Sequence, residues 1–329
     1  MTLTGRPELP ATSADVARLA GVSRSTVSRI LSGNHGRFPE HTRQKVHDAA
    51  RELDYQPSVA GRSLVSGRSD TIVVLVVNAT FATRFQDAVD RVMTTTSEIG
   101  GNVVIRLAAE TPRATAESLA MLRPLAVVDF GVLGLPEREW LESRGVIIVP
   151  PGPETDGGDS DGGIIDLQVS ALLERDREAL WFAGNENSER DQNSARRRAR
   201  LVGLSESSGL PAPGRLTVDL TLASGTDALR TVLAGPLPAG IACYNDDVAM
   251  TLLAAARELA IRIPEDVAVV GVDNSPLGQM WSPRLTTVDT NLRRIVDSMA
   301  HQLRRRLGRP GGEPELGDRR FTLVRGETT

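Results

Sequence analysis

From Thr71 onward the chain alternates short aliphatic runs with longer amphipathic segments, and this rhythm limits the fold more than any other feature. The runs are Thr71 to Val77, Asn102 to Leu107, Leu125 to Phe130, Val146 to Val149, Ala179 to Ala183, Gly240 to Tyr244 and Val267 to Val272. Near-continuous aliphatic strands separated by helix-length stretches are the pattern of parallel sheets covered by crossover helices. Seven such strands over this length point to two α/β lobes. The Gly-, Pro- and Asp-rich stretch Pro150 to Gly163 is the expected passage between them.

Residues 12 to 54 follow a different period and read as three short helices, ended by Tyr55-Gln56-Pro57, because the residue before a proline is pushed out of the helical region. Thr12 and Asp15 are spaced to cap a first helix, with Val16, Leu19 and Ala20 on its apolar face and Gly21 as its stop. Ser23 is placed to cap a second helix, and Val22 and Val27 occupy hydrophobic-staple positions. With Val27, Ile30 and Leu31 turned inward, Arg24, Ser25, Ser28 and Arg29 are left outward.

Charge separates the same two regions. Of 329 residues with net charge -4, the first 68 carry ten basic and six acidic side chains, a net of +4, and the remainder a net of -8. A basic helical head on an acidic body is suited to a polyanion at one end only. An arginine fork can donate two hydrogen bonds to guanine in the major groove, which makes Arg24 and Arg29, with Ser25, candidates for base readout. Thr12, Ser23, Thr26, Ser28, Thr42 and Arg43 suit phosphate oxygens.

The string Thr12-Ser13-Ala14-Asp15-Val16-Ala17, Ala20-Gly21-Val22-Ser23 and Thr26-Val27-Ser28-Arg29-Ile30-Leu31 closely resembles the N-terminal signature of the LacI/GalR family of bacterial regulators. Asn245-Asp246, Ile263-Pro264-Glu265-Asp266-Val267, Val270-Gly271-Val272-Asp273, Pro283-Arg284-Leu285-Thr286-Thr287-Val288 and Leu323-Val324-Arg325 extend the resemblance over nearly the whole chain. It implies a helix-turn-helix domain over 1–57, a hinge helix and linker over 58–70, and an effector-binding and dimerising core over 71–329. The core would be built like periplasmic sugar-binding proteins, with a near lobe of about 71–165 and 289–316 and a far lobe of about 166–288 and 317–329. It also implies operator DNA of pseudo-palindromic sequence, a homodimer whose symmetry matches it, and a small-molecule effector.

By the same resemblance Leu64 is a minor-groove wedge, an apolar side chain that unstacks a base step and kinks the duplex. Ser58 and Gly61 depart from the usual asparagine and alanine of that hinge, and glycine lowers helix stability by about 1 kcal/mol relative to alanine.

Ligands of open α/β sheets bind beyond the carboxyl ends of the strands, where Asn245, Asp246 and Asp273 fall. Arg200, in Arg200-Leu201-Val202-Gly203, matches the family's effector-contacting arginine, although Arg196, Arg197 and Arg198 leave the register open by a turn. Asn78, Phe81 and Arg84 are the near-lobe candidates in a segment unlike the family's. Leu220 stands about where sugar-binding relatives carry a stacking aromatic, and Thr251 replaces a common glycine, so the implied fold is firmer than a sugar as ligand.

Catalysis and metals find little support. The four histidines fall mostly in the head, a phosphate-cradling GxxxxGK[ST] and a Gly-x-Ser-x-Gly elbow are missing, and Cys243 is the single cysteine. A calcium loop beginning at Asp159 would need an acid where Ser170 stands. The expectation is a cytoplasmic regulator without cofactor or enzymatic activity. A binding protein of the same fold with a vestigial head, or a ligand-blind DNA-architectural protein, are the alternatives the residues leave open.

Overall fold

The computed structural model describes residues 11–31, 38–55, 70–76, 90, 92–94, 102–150, 162–309 and 321–329. The chain forms two compact units, Met1–Thr71 and Ile72–Thr329.

In the first unit, helices α1 (Ser13–Ala20), α2 (Arg24–Leu31) and α3 (Glu40–Glu52) enclose Val16, Ala17, Val27, Ile30, Val46, Ala49 and Ala50. Val22, Leu31 and Phe38 close the edges of this small core. Asp15 reaches back to accept hydrogen bonds from the Thr12 N–H (2.9 Å) and hydroxyl (2.6 Å), the reciprocal cap that the spacing predicts. Gly21 ends α1 at φ 67°, a left-handed conformation that costs glycine nothing. Leu19 is a correction, since its side chain is 47% exposed. The buried stripe of α1 centres on Val16, Ala17 and Ala20, and at roughly 100° per residue Leu19 lies about a quarter turn outside it.

The second unit is doubly wound α/β around two sheets. The near sheet has the order β2 (Asn102–Leu107), β1 (Thr71–Val76), β3 (Ala126–Asp129), β4 (Ile147–Val149), with β1, β3 and β4 parallel. The far sheet runs β10 (Thr322–Val324), β9 (Thr286–Asp289), β8 (Val267–Val272), β7 (Ala239–Cys243), β5 (Ala179–Gly184), β6 (Gly214–Thr217). All its neighbours are parallel except β10 against β9.

Helices α4 (Pro112–Leu122) and α5 (Leu135–Glu142) belong to the near sheet, burying Leu119 and Leu141 against Val73, Leu75 and Val127. On the far sheet, α6 (Gly162–Leu172) and α7 (Gln192–Ser207) pack against Phe182, Ala242 and Val270 from one face. From the other face, α8 (Leu222–Leu233) and α9 (Asp246–Glu258) pack against Ile241, Val267 and Val269. Two covered faces explain why β7 and β8 are buried at every residue and read as unbroken apolar runs. The short helix α10 (Pro276–Met280) follows β8. After β9 the chain returns to the near sheet as α11 (Leu292–Arg306), whose Met299 and Leu303 join Ile72, Ala126 and Val149.

Three strands lie outside the aliphatic runs. β6 is an edge strand with only Leu216 buried, and β10 is a three-residue strand at the opposite edge. β9 buries Thr286 and Thr287, and their hydroxyls are satisfied inside the protein, so a central strand carries no apolar run in sequence. Among the described residues, no helix is long and apolar enough to cross a membrane.

Candidate functional site

The sequence points to two places, and they differ in construction. On α2, Val27 and Ile30 are fully buried while Arg24, Ser25 and Arg29 are exposed and Thr26 and Ser28 half-buried. Positions four apart share a helix face, so Arg24 with Ser28 and Ser25 with Arg29 form one continuous outer strip. Ser23 caps this helix: its Oγ accepts the Thr26 N–H at 3.1 Å and lies 2.8 Å from the hydroxyls of Ser25 and Thr26. Three hydroxyls thus gather at the positive end of α2, a favourable place for phosphate.

The other candidate phosphate groups already hold partners. Both donors of Thr12 are engaged by Asp15. Arg43 pairs with Glu40, one turn earlier on α3, and the Thr42 hydroxyl lies 3.2 Å from His41 Nε2.

At the carboxyl ends of β7, β8 and β9 the polar residues are buried and mutually bonded. Asn245 caps α9, its Oδ1 accepting the Val248 N–H at 3.0 Å. Asp246 is 2% exposed, and its carboxylate accepts from the Ser275 N–H and the Thr287 hydroxyl, each at 2.6 Å. Burial pushes its carboxyl up to about 6 against the pull of those two partners. Gly271 leaves the room this requires, because a Cβ there would lie 2.1 Å from Asp246 Oδ1.

The network fixes the turn that carries Asp273. Asp273 and Asn274 follow β8 at φ 101° and 50°, the first uncommon for any residue with a side chain and the second in the left-handed region that asparagine tolerates. Here the Asp273 N–H donates to Val288 O (2.9 Å) and the Asn274 N–H to Thr287 Oγ1 (3.2 Å), while Asn274 Nδ2 donates to Asp289 (2.9 Å). Asp246 therefore positions the turn, at whose start Asp273 stands half-exposed.

Arg200 is 53% exposed and pairs with Asp166 of α6 at 2.9 Å. The buried arginine of that run is Arg197, one turn earlier and 4% exposed, whose Nη2 donates to the Tyr244 carbonyl at 3.0 Å. Tyr244, just past β7, donates its hydroxyl to Asp191 at 2.9 Å. Burial and that carboxylate hold the phenol well above its ordinary range. On the near sheet, Asp129 at the end of β3 is consumed by Arg138 and by the Val132 N–H (2.9 Å). Sequence reading left Arg197 among three possible registers and gave Tyr244, Asp191, Ser275 and Thr287 no role; only their contacts distinguish them. Leu64, Asn78, Phe81 and Arg84 lie outside the described residues.

Comparison with known proteins finds matches in both units. Residues 12–58 match the bacterial regulatory proteins of the lacI family, and residues 169–329 match the periplasmic binding protein-like domain. The HTH-type transcriptional repressor PurR of Vibrio atlanticus (strain LGP32) is 30% identical over 303 residues, covering 87% of this chain and 88% of that protein. The ribose operon repressor of Escherichia coli (strain K12) is 31% identical over 297 residues, 84% of this chain and 87% of that one. In fold the chain is similar to the Lac repressor dimer bound to operator and the anti-inducer ONPF, with a TM-score of 0.71 at 20% identity, covering 97% of this chain and 99% of that one. With a capped three-helix head, a doubly wound body and near-full-length relatives at this identity, the chain belongs to the lacI family of bacterial regulatory proteins.

Proposed function

We propose that this protein is a ligand-responsive transcriptional repressor acting in the cytoplasm without catalysis. Two copies bind a pseudo-palindromic operator, in keeping with the operator-bound dimer of the Lac repressor to which the fold is similar. Arg24, Ser25 and Arg29 read base edges from α2. Ser23, Thr26, Ser28, Thr42 and Arg43 hold phosphates, with Thr12 serving chiefly as the α1 cap, and Leu64 opens the minor groove at the centre. The effector lies at the carboxyl ends of the far-sheet strands, where Asp273 accepts its donors. By linkage, a compound that weakens operator binding must itself bind the DNA complex more weakly.

The observation that carries this reading is the division of α2 into a fully buried face, Val27 and Ile30, and an exposed strip of arginines and hydroxyls. The test is selection of operators from a random duplex library by the full-length protein and by the Arg24→Ala, Arg29→Ala double variant. The wild type is expected to enrich an inverted repeat. The variant should retain salt-sensitive DNA binding with its preference reduced at least about 30-fold, since each of two good arginine–guanine pairs discriminates by about 1–3 kcal/mol. An unchanged enriched sequence in the variant would remove these arginines from base readout.

A further inference from the structure

The amino ends of the near-sheet strands gather positive charge on an acidic body. Ile72, Ala126 and Ile147 stand side by side in β1, β3 and β4, so the turns leading into these strands share one end of the sheet. The α4–β3 turn contributes Arg123 there and the α5–β4 turn Arg144, both exposed. α11 starts beside Val74 and Val76 and finishes with Leu303 and Leu307 in the cluster of Ile72, Ala126 and Ile147. Its last turn and the residues after it therefore bring Arg304, Arg305, Arg306 and Arg309 to the same end.

Little local acid answers them. Glu142 is paired with Arg306 at 3.2 Å, and Asp70 is half-buried before β1. Among the described residues no carboxylate pairs with Arg123, Arg305 or Arg309. Residues 69–329 carry a net charge of -8, so this face runs against the charge of its own body. The carboxyl end of a helix attracts cations for its own sake, which accounts for the last turn of α11 but not for the two turns before β3 and β4. Arg123 closes α4 at φ 46°, a left-handed position that glycine fills at lower cost. Arg144 is held in place by Trp140, with its guanidinium 3.8 Å from the ring centre and donating to the Trp140 carbonyl at 2.9 Å.

The partner follows from where the chain comes from. Thr71 opens β1 at this end, and residues 56–70 are all that separate it from the helices of the head. That length spans at most about 50 Å when fully extended. A duplex gripped by the head is thereby offered to the body at high effective concentration, so a surface too weak to hold DNA alone can still add to binding. Arginines spread over three separate turns suit a row of backbone phosphates better than one small anion.

We propose that the amino-end face of the near sheet is a second DNA-binding surface, on which Arg123, Arg144, Arg305 and Arg309 take backbone phosphates of the duplex held by the head. This rests on the operator-binding reading given above. The face adds affinity and salt dependence and no sequence preference.

The experiment measures operator binding across a range of salt for three full-length proteins. They are the wild type, the face variant Arg123→Gln, Arg305→Gln, Arg309→Gln, and a control that removes three exposed arginines around the far sheet, Arg175→Gln, Arg215→Gln, Arg230→Gln. All six side chains are exposed, so equal Tm values are expected. Should Arg123→Gln lower Tm, the Arg305→Gln, Arg309→Gln pair carries the same comparison. Each phosphate contact contributes about 0.9 to the slope of log K against log salt. Two copies losing three contacts each should flatten the slope by up to about 5 and lower affinity at least about 10-fold at about 0.15 M salt. The control, equal in charge, should keep the wild-type slope, and all three proteins should select the same operator.

Equal slopes in the face variant and the control overturn the proposal, whether both stay or both flatten, and leave the face to an acidic protein partner. A scrambled duplex separates this outcome from failure of the operator reading. A slope that flattens only in the face variant, in a protein that does not prefer its operator to the scrambled duplex, removes the operator reading alone. Operator preference with an unchanged slope removes only the second surface.

Discussion

The outer strip of α2 and the strand ends of the far sheet are both polar, yet they arise in opposite ways. On α2 the core takes Val27 and Ile30, and whatever remains faces outward. At the strand ends, Asp246, Thr286, Thr287 and Ser275 are themselves buried, and each is fixed by another polar group. A face left over by a helix can change residue by residue with little effect on stability. A buried polar network cannot, because removing one member strands the others.

The largest effect that follows is at Gly271. An alanine Cβ there would sit 2.1 Å from Asp246 Oδ1 and 3.0 Å from Leu285 Cδ2. The carboxylate can yield only by abandoning the Ser275 N–H and the Thr287 hydroxyl. Gly271→Ala should therefore destabilise the body by about 4 kcal/mol, combining overpacking with two broken buried bonds. Urea unfolding of the full-length protein measures it. A loss below about 1 kcal/mol, no more than one ordinary hydrogen bond, would show that the network has slack and would undo the contrast with α2.

Asp246→Asn sharpens the contrast through pH. The folded-state carboxyl titrates at about 6 and an unfolded aspartate near 3.9. Between those values the folded protein holds a proton that the unfolded chain has released, so stability from this group is complete below about pH 4 and is lost as pH rises through about 6. Asparagine preserves an acceptor for Ser275 and carries no charge. The variant should be more stable than the wild type by about 2 kcal/mol at about pH 7.5, with the difference vanishing toward about pH 4. A variant that is weaker at every pH would mean that the carboxylate's hydrogen bonds outweigh its burial.

The same contrast explains what could be read from sequence. The head was legible because helix periodicity and caps are local: Thr12 with Asp15, Gly21, and Ser23 with Thr26 all act within a few residues. Strands β1, β3, β7 and β8 were legible as apolar runs because both of their faces are covered. β9 was not, since its Thr286 and Thr287 look polar until their partners Gly326 and Asp246 are known, 40 and 41 residues away. Sequence favoured Arg200 with the register open by a turn, and the burial of Arg197 was not legible for the same reason. Both lie on one helix, and only the positions of Asp166 and Tyr244 distinguish them.

On α2 itself the expected effects are smaller. Ser23→Ala removes the oxygen that accepts the Thr26 N–H and should cost the head about 1 kcal/mol. Faster hydrogen exchange at the first amides of α2, with exchange in β7 and β8 unchanged, is the signature to look for. Equal acceleration in both units would mean that the head and body do not unfold separately.

Leu19→Ala is expected to do least, shifting head stability by no more than about 0.5 kcal/mol, although a leucine at that position invites a core assignment. The side chain is 47% exposed because the stripe of α1 that meets α2 and α3 is set by Val16, Ala17 and Ala20, and a helix this short has room for only one such stripe. Hydrogen exchange of the α1 amides decides it. A loss of about 2 kcal/mol or more, the range of buried leucine truncations, would place Leu19 in a core, and the division of the head into buried face and leftover face would have to be redrawn around α1.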